Sequence, residues 1–165
     1  MSYSFNAGEV FKVAIQIEEN GRRFYEESRK NIESTEVKDL FADLELQEIE
    51  HKKKFEALRA QLPSESTTTT VWDPANELDQ YIKMMADDHV FISSADIKNQ
   101  IGRIRDASDA LKLAIEFEKD TVIFFLSLED AVAGKKDQEL IKSLVNEEQG
   151  HLKRLSLQLR KITGK

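Results

Sequence analysis

The sequence has 165 residues, enough for a single domain with a buried core. Charged residues make up 33% and hydrophobic ones 40%, with only two prolines, a balance that suits long amphipathic helices. A net charge of −7 without any basic run argues against nucleic acid or an anionic membrane as partner, and the lack of cysteine excludes disulfides, thiol catalysis and Cys-ligated zinc or iron–sulfur centres.

In chain order, Met1 to Gly8 shows no basic segment followed by an apolar run, so no signal peptide is expected. Asn6, with Glu9 three residues later, is placed to cap a first helix running to about Lys30. Phe11, Ala14, Ile15, Glu18, Arg22 and Tyr25 follow helical spacing along it. Ser34 or Thr35 is the expected cap of a second helix that continues to about Leu62. Its inward stripe reads Phe41, Leu44, Glu48, His51, Phe55, Leu58, Leu62. The short connection predicts an antiparallel hairpin over about residues 6–62.

Pro63 and Pro74 bracket a linker-like stretch with four successive threonines, Thr67 to Thr70, which disfavour helix. Asp73-Pro74 is a good helix start, and a short helix through Met85 is predicted, with another near Ser94 to Ile104. These form a crossover of about residues 63–107. Ser108 is the expected cap of a third long helix, ending near Ala133 with Gly134 beyond it. The apolar run Val122 to Leu126 within it is far too short to span a bilayer, so a soluble cytoplasmic protein is expected. A fourth helix starts near Lys136 and ends before Gly164, with an inward stripe of Ile141, Leu144, Glu148, His151, Leu155, Leu159 and Ile162. The second hairpin covers about residues 108–163.

The two hairpins repeat one another at an offset of one hundred. Leu44-x-x-x-Glu48-x-x-His51 returns as Leu144-x-x-x-Glu148-x-x-His151; Val13 to Glu18 matches Leu113 to Glu118, and Phe24-Tyr25 matches Phe124-Phe125. The expected fold is an all-α four-helix bundle with pseudo-twofold symmetry, built from two hairpins and a long crossover.

Glu and His three apart on a helix are surface neighbours, so each pair can reach one metal ion. Glu18, Glu48, Glu118 and Glu148 each interrupt an apolar stripe, as do His51 and His151. Buried carboxylates without partners cost several kcal/mol or more, and four together repel and take up protons. Two divalent cations balance four carboxylates while both histidines stay neutral. Oxygen-rich donors with imidazole suit iron or manganese, singly or as a mixed pair, over softer metals.

This constellation resembles the rubrerythrin-like branch of the ferritin-like di-iron carboxylate proteins, across all four long helices. The resemblance implies that Glu48 and Glu148 bridge two iron ions, that Glu18 and Glu118 are terminal ligands, and that His51 and His151 each bind one ion. Rubrerythrins proper carry a further glutamate three residues after the third-helix ligand, where this sequence has Thr121. Its counterpart on the first helix is Gly21. They also carry a Cys-ligated rubredoxin domain, which a cysteine-free chain cannot form. The expected activity is therefore reduction of hydrogen peroxide or dioxygen with electrons from an external donor protein. The alternative is an iron-binding, ferroxidase or iron-storage module. A homodimer is expected, with hairpins exchanged between chains as one way of making the crossover.

Among neighbouring residues, Tyr25 lies on the face of Glu18, where its hydroxyl can bond a ligand or supply an electron; an ordinary core tyrosine is the competing reading. His89 has no partner at ligand spacing and is expected to be structural. Glu45, Glu50, Glu116 and Glu147 fall beside the stripes and are expected to be solvated or to support a ligand, with Glu45 the foremost candidate for the latter. Gly21 and Gly150 each cost a helix about 1 kcal/mol relative to Ala, which points to a close helix approach or to space for a small ligand.

Overall fold

Six α-helices follow one another in the computed structural model, which describes residues 7–62, 77–89, 94–132 and 134–165. Helix α1 spans Ala7–Ser28, α2 Thr35–Ala60, α3 Glu77–Asp88, α4 Ser94–Ile101, α5 Ala107–Ala131 and α6 Lys135–Thr163. A single 3-10 turn, Arg29–Asn31, tightens the end of α1. Helix α1 packs along α2 and α5 along α6; the hairpins meet through α1–α5 and α2–α6. Helix α3 lies on α5 and α4 on α1, so the crossover helices cover the bundle.

The boundaries follow local chemistry. Ser34 caps α2, its Oγ accepting from the Val37 N–H at 3.4 Å. The cap of α5 is Asp106, not the expected Ser108: Asp106 Oδ1 accepts from Asp109 N–H at 2.9 Å, and Ser108 is already helical. Asp is at least as good an acceptor here as Ser, and starting α5 earlier satisfies one more backbone donor. Gly134 does not terminate α5. It has φ −75° and ψ 121°, an extended conformation open to any residue, and precedes the first turn of α6. Gly164, at φ 69°, does end α6 in the left-handed conformation that favours glycine. The expected capping pair Asn6–Glu9 and the helix start at Asp73-Pro74 involve positions outside the described residues.

The inward stripes of α2 and α6 are buried from Phe41 to Leu58 and from Ile141 to Leu155, while Leu62 and Leu159 are partly covered at the rim. Ile162 departs from expectation and is 41% exposed. On α1 the buried face is wider than the expected stripe. Ile17, Asn20, Gly21 and Phe24 are buried beside Phe11, Ala14, Glu18 and Tyr25, whereas Arg22 reaches out to Glu19 and Glu26. Contact with α2, α4 and α5 on different sides explains the extra width.

Aromatic layers bracket the middle of the bundle. On one side Tyr25 stands edge-on to Phe41 at 5.0 Å and to Phe24 at 5.3 Å; on the other Phe55 meets Phe125 at 4.9 Å and Phe11 at 6.3 Å. Such pairs contribute about 0.5–1.5 kcal/mol beyond their burial. They leave a polar layer between them, supplied by Glu18, Glu48, His51, Glu118, Glu148 and His151, each at most 1% exposed.

Candidate metal centre

The polar layer is assembled one helix at a time. Glu48 and His51 lie one turn apart on α2, and Glu148 and His151 likewise on α6, so each helix turns two donors inward. Helices α1 and α5 contribute Glu18 and Glu118. The side chains form two clusters whose donor atoms lie within 4.8 Å of one another: Glu18, Glu48, His51 and Glu148 in the first, Glu48, Glu118, Glu148 and His151 in the second. Glu48 and Glu148 belong to both. The sequence-predicted residues are thus all brought together. The two imidazole rings stack with centroids 5.4 Å apart and planes 11° from parallel.

Each histidine turns Nδ1 towards the carboxylates. His51 Nδ1 is 2.5 Å from Glu148 Oε1 and 3.7 Å from Glu18 Oε2. His151 Nδ1 is 2.8 Å from Glu148 Oε2 and 3.4 Å from both Glu48 Oε1 and Glu118 Oε1. The outer nitrogens fix the tautomers. His51 Nε2 is 2.8 Å from Glu147 Oε2, an acceptor only, so Nε2–H donates, and in the neutral imidazole the Nδ1 lone pair faces inward. His151 Nε2 is 2.9 Å from Gln47 Oε1. The amide nitrogen of Gln47 donates to Asp43 Oδ2 at 2.9 Å, which leaves its oxygen for His151 and sets the same tautomer there. Glu147 is steadied by Lys54 at 3.0 Å, and Asp43 by Arg154 at 2.7 Å. These outer contacts obey the repeat: 51 with 147, and 151 with 47.

Glu147 and Gln47, not Glu45, therefore support the inner residues. Glu45 pairs instead with Arg29 at the end of α1. Glu50 and Glu116 are solvated as expected, each paired with a lysine three residues on. The signal that could have found Glu147 and Gln47 is the repeat itself, since position 47 maps onto 147, one residue before each bridging candidate.

Whether these groups suit a metal can be tested on their hydrogen bonding. The buried side-chain atoms that find no hydrogen-bond partner include both oxygens of Glu18, Glu48 and Glu148, Oε2 of Glu118, and Nδ1 of both histidines. Only Ser28 Oγ and Gln158 Nε2 join them from elsewhere among the described residues. Native proteins rarely leave such atoms unsatisfied. A set of inward lone pairs without donors fits cations, and carboxylate with imidazole fits iron or manganese.

Without a cation the layer is electrostatically frustrated. Burial, then the neighbouring carboxylates, push Glu18, Glu48 and Glu118 well above the usual carboxylate range. Burial acts on Glu148 in the same direction, but His151 and His51 beside it outweigh that and hold it below the usual range. Burial also disfavours the imidazolium forms, yet Glu148 and its neighbours lift His51 to about 9 and raise His151 further. Protons thus occupy the layer that two cations would otherwise neutralise.

Three further residues line the layer. The Tyr25 hydroxyl donates to Glu118 Oε1; burial, then the Glu118 charge, raise its pKa, so it remains a phenol. Gly21 is a close approach. A Cβ there would lie 2.7 Å from Glu48 Oε2 and 2.7 Å from Phe117 Cζ, so α1 can sit beside the shared carboxylate only as glycine. Gly150 meets nothing within 4 Å, and the structure gives no reason for it. Thr121 donates to the Phe117 carbonyl at 3.0 Å and contacts His89 Nε2 at 3.1 Å. His89 is buried at the end of α3, and burial lowers its pKa to about 4, so it is neutral. It reaches α5 at the position where rubrerythrins proper have their extra glutamate.

In comparison with known proteins, residues 9–159 match the family model for rubrerythrin. A crystal structure from Thermotoga maritima, described as a candidate ferritin-like diiron-carboxylate protein, superposes with a TM-score of 0.73 at 25% identity, covering 97% of this chain and 98% of that one. No functionally curated protein matches the sequence significantly.

Proposed function

Because the chain belongs to the rubrerythrin family, we propose that it is a di-iron carboxylate oxidoreductase that reduces hydrogen peroxide or dioxygen. The observation that carries this reading is the pair of buried clusters sharing Glu48 and Glu148. In it, Glu48 and Glu148 would serve both ions, Glu18 and His51 would hold one of them, and Glu118 and His151 the other. When bound, the two ions would supply the electrons and a Lewis-acidic binding position.

The chain's own residues define what surrounds that chemistry. The aromatic layers of Tyr25 and Phe41 on one side and Phe55 and Phe125 on the other exclude bulk water. Glu147 and Gln47 hold the histidine tautomers, and the Tyr25 hydroxyl keeps a proton at Glu118 Oε1. Thr121 replaces a carboxylate of rubrerythrins proper, and its hydroxyl is engaged by the Phe117 carbonyl and His89. The ligand set would therefore be the six residues, with no seventh carboxylate at position 121. Electrons come from a donor outside these cysteine-free 165 residues.

Two-electron reduction of peroxide consumes two protons and yields two waters, whereas two-electron reduction of dioxygen leaves peroxide behind. Peroxide is thus the oxidant that matches a two-ion site. Stopped-flow absorbance on anaerobic, reduced, iron-loaded protein tests this at equal oxidant concentrations. Faster oxidation by peroxide is expected; faster oxidation by dioxygen would favour the ferroxidase alternative.

A further inference from the structure

The two halves of the centre are related by the sequence repeat, but their surroundings are chemically different. His51 Nε2–H donates to a carboxylate, Glu147 Oε2, at 2.8 Å. Its counterpart His151 donates to a neutral amide oxygen, Gln47 Oε1, at 2.9 Å. The two outer contacts have nearly the same length, and the formal charge of the acceptor differs. A carboxylate behind an imidazole raises its basicity, and a neutral carbonyl does so less.

A second difference points in the same direction. Glu118, beside His151, has one oxygen engaged by the Tyr25 hydroxyl, which withdraws charge from that carboxylate. The repeat places Phe125 opposite Tyr25, so Glu18 has no such donor, and both its oxygens are without a hydrogen-bond partner. Lys54, 3.0 Å from Glu147, and the partial exposure of that carboxylate reduce the first effect without removing it.

We propose that Glu147 and Gln47, behind the two histidines, make the two metal positions inequivalent, so that the first divalent cation occupies the His51–Glu18 position in preference to the His151–Glu118 position. This rests on the two-ion reading above. Glu147 and Gln47 are positioning residues; neither touches a cation directly. The difference is one of charge on otherwise matched contacts, so exchanging the two side chains should shift the preference without altering the fold.

Zinc titration of metal-free protein, followed by nitrogen NMR of the histidine side chains, reads each position separately. Zn²⁺ is diamagnetic, and each Nδ1 resonance moves when it binds. At one equivalent, His51 is expected to be occupied about tenfold more than His151, in line with the lower end of measured effects of such outer contacts. Glu147→Gln should bring the two occupancies close to equal. The double exchange Glu147→Gln with Gln47→Glu should carry the preference to His151. Equal occupancy in the wild type, or a preference that neither variant moves, would overturn the inequivalence while leaving two-ion binding in place. No movement of either resonance at two equivalents would overturn the two-ion reading, and this inference with it.

Discussion

The hydroxyl of Tyr25 on α1 donates to Oε1 of Glu118 on α5, joining the two hairpins at the polar layer. His151 Nδ1 lies 3.4 Å from the same oxygen, and Oε2 has no hydrogen-bond partner. Tyr25→Phe removes only the oxygen and keeps the ring against Phe24 and Phe41. In metal-free protein the loss should cost about 1–3 kcal/mol, since a buried carboxyl oxygen loses its partner. A urea titration measures this; a change below about 0.5 kcal/mol would return Tyr25 to an ordinary core role. In iron-loaded protein, slower oxidation by peroxide is expected for the same variant.

Gly21 and Gly150 should respond in opposite ways to alanine. A methyl at position 21 meets Glu48 Oε2 and Phe117 at 2.7 Å, so Gly21→Ala should displace the shared carboxylate, destabilise the fold by about 1–3 kcal/mol and reduce metal content. Gly150→Ala fills open space on a helix and should stabilise by about 0.5–1 kcal/mol with metal content unchanged. Thermal unfolding with metal analysis distinguishes the two. Normal metal content in Gly21→Ala would show that the close approach is not needed for the centre.

Much of this centre is legible in the sequence, because its signal is local and repeated. Glu48-x-x-His51 and Glu148-x-x-His151 lie within apolar stripes at an offset of one hundred, and the same offset relates Glu18 to Glu118. What is not legible depends on long-range packing. Taken singly, Glu45 and Glu147 are equally ordinary acidic residues beside a stripe; the packing of α6 on α2 brings Glu147 to His51, whereas Glu45 pairs with Arg29 at the end of α1. His89 reaches Thr121 through the docking of α3 on α5, which no periodicity encodes. Helix ends are decided by competition between adjacent caps, as with Asp106 and Ser108.

The frustrated layer predicts opposite pH behaviour with and without metal. In metal-free protein the folded-state pKa of His51 is raised from 6.5 to about 9, so its stabilisation is complete below pH 6.5 and is lost as pH rises through about 9. Glu18, Glu48 and Glu118 are also raised, so the folded form binds more protons than the unfolded one, which again makes stability fall as pH rises. The urea midpoint of metal-free protein should therefore drop between pH 6.5 and 9, while metal-loaded protein should not follow it. Metal affinity should rise over the same interval, since protons compete for the donors. Parallel pH profiles for both forms would contradict the assignment of these groups to a common cation site.

The central claim is that Glu48 and Glu148 hold two metal ions in common. Iron quantification on anaerobically reconstituted protein tests it most directly, comparing the wild type with Glu48→Ala, Glu148→Ala and Glu50→Ala. Glu50 is the control, because it points to solvent and pairs with Lys53. Two irons per chain are predicted in the wild type and in Glu50→Ala, and less than one in either of the other two. A wild type that binds no iron, or an equal loss in all three variants, would contradict the account.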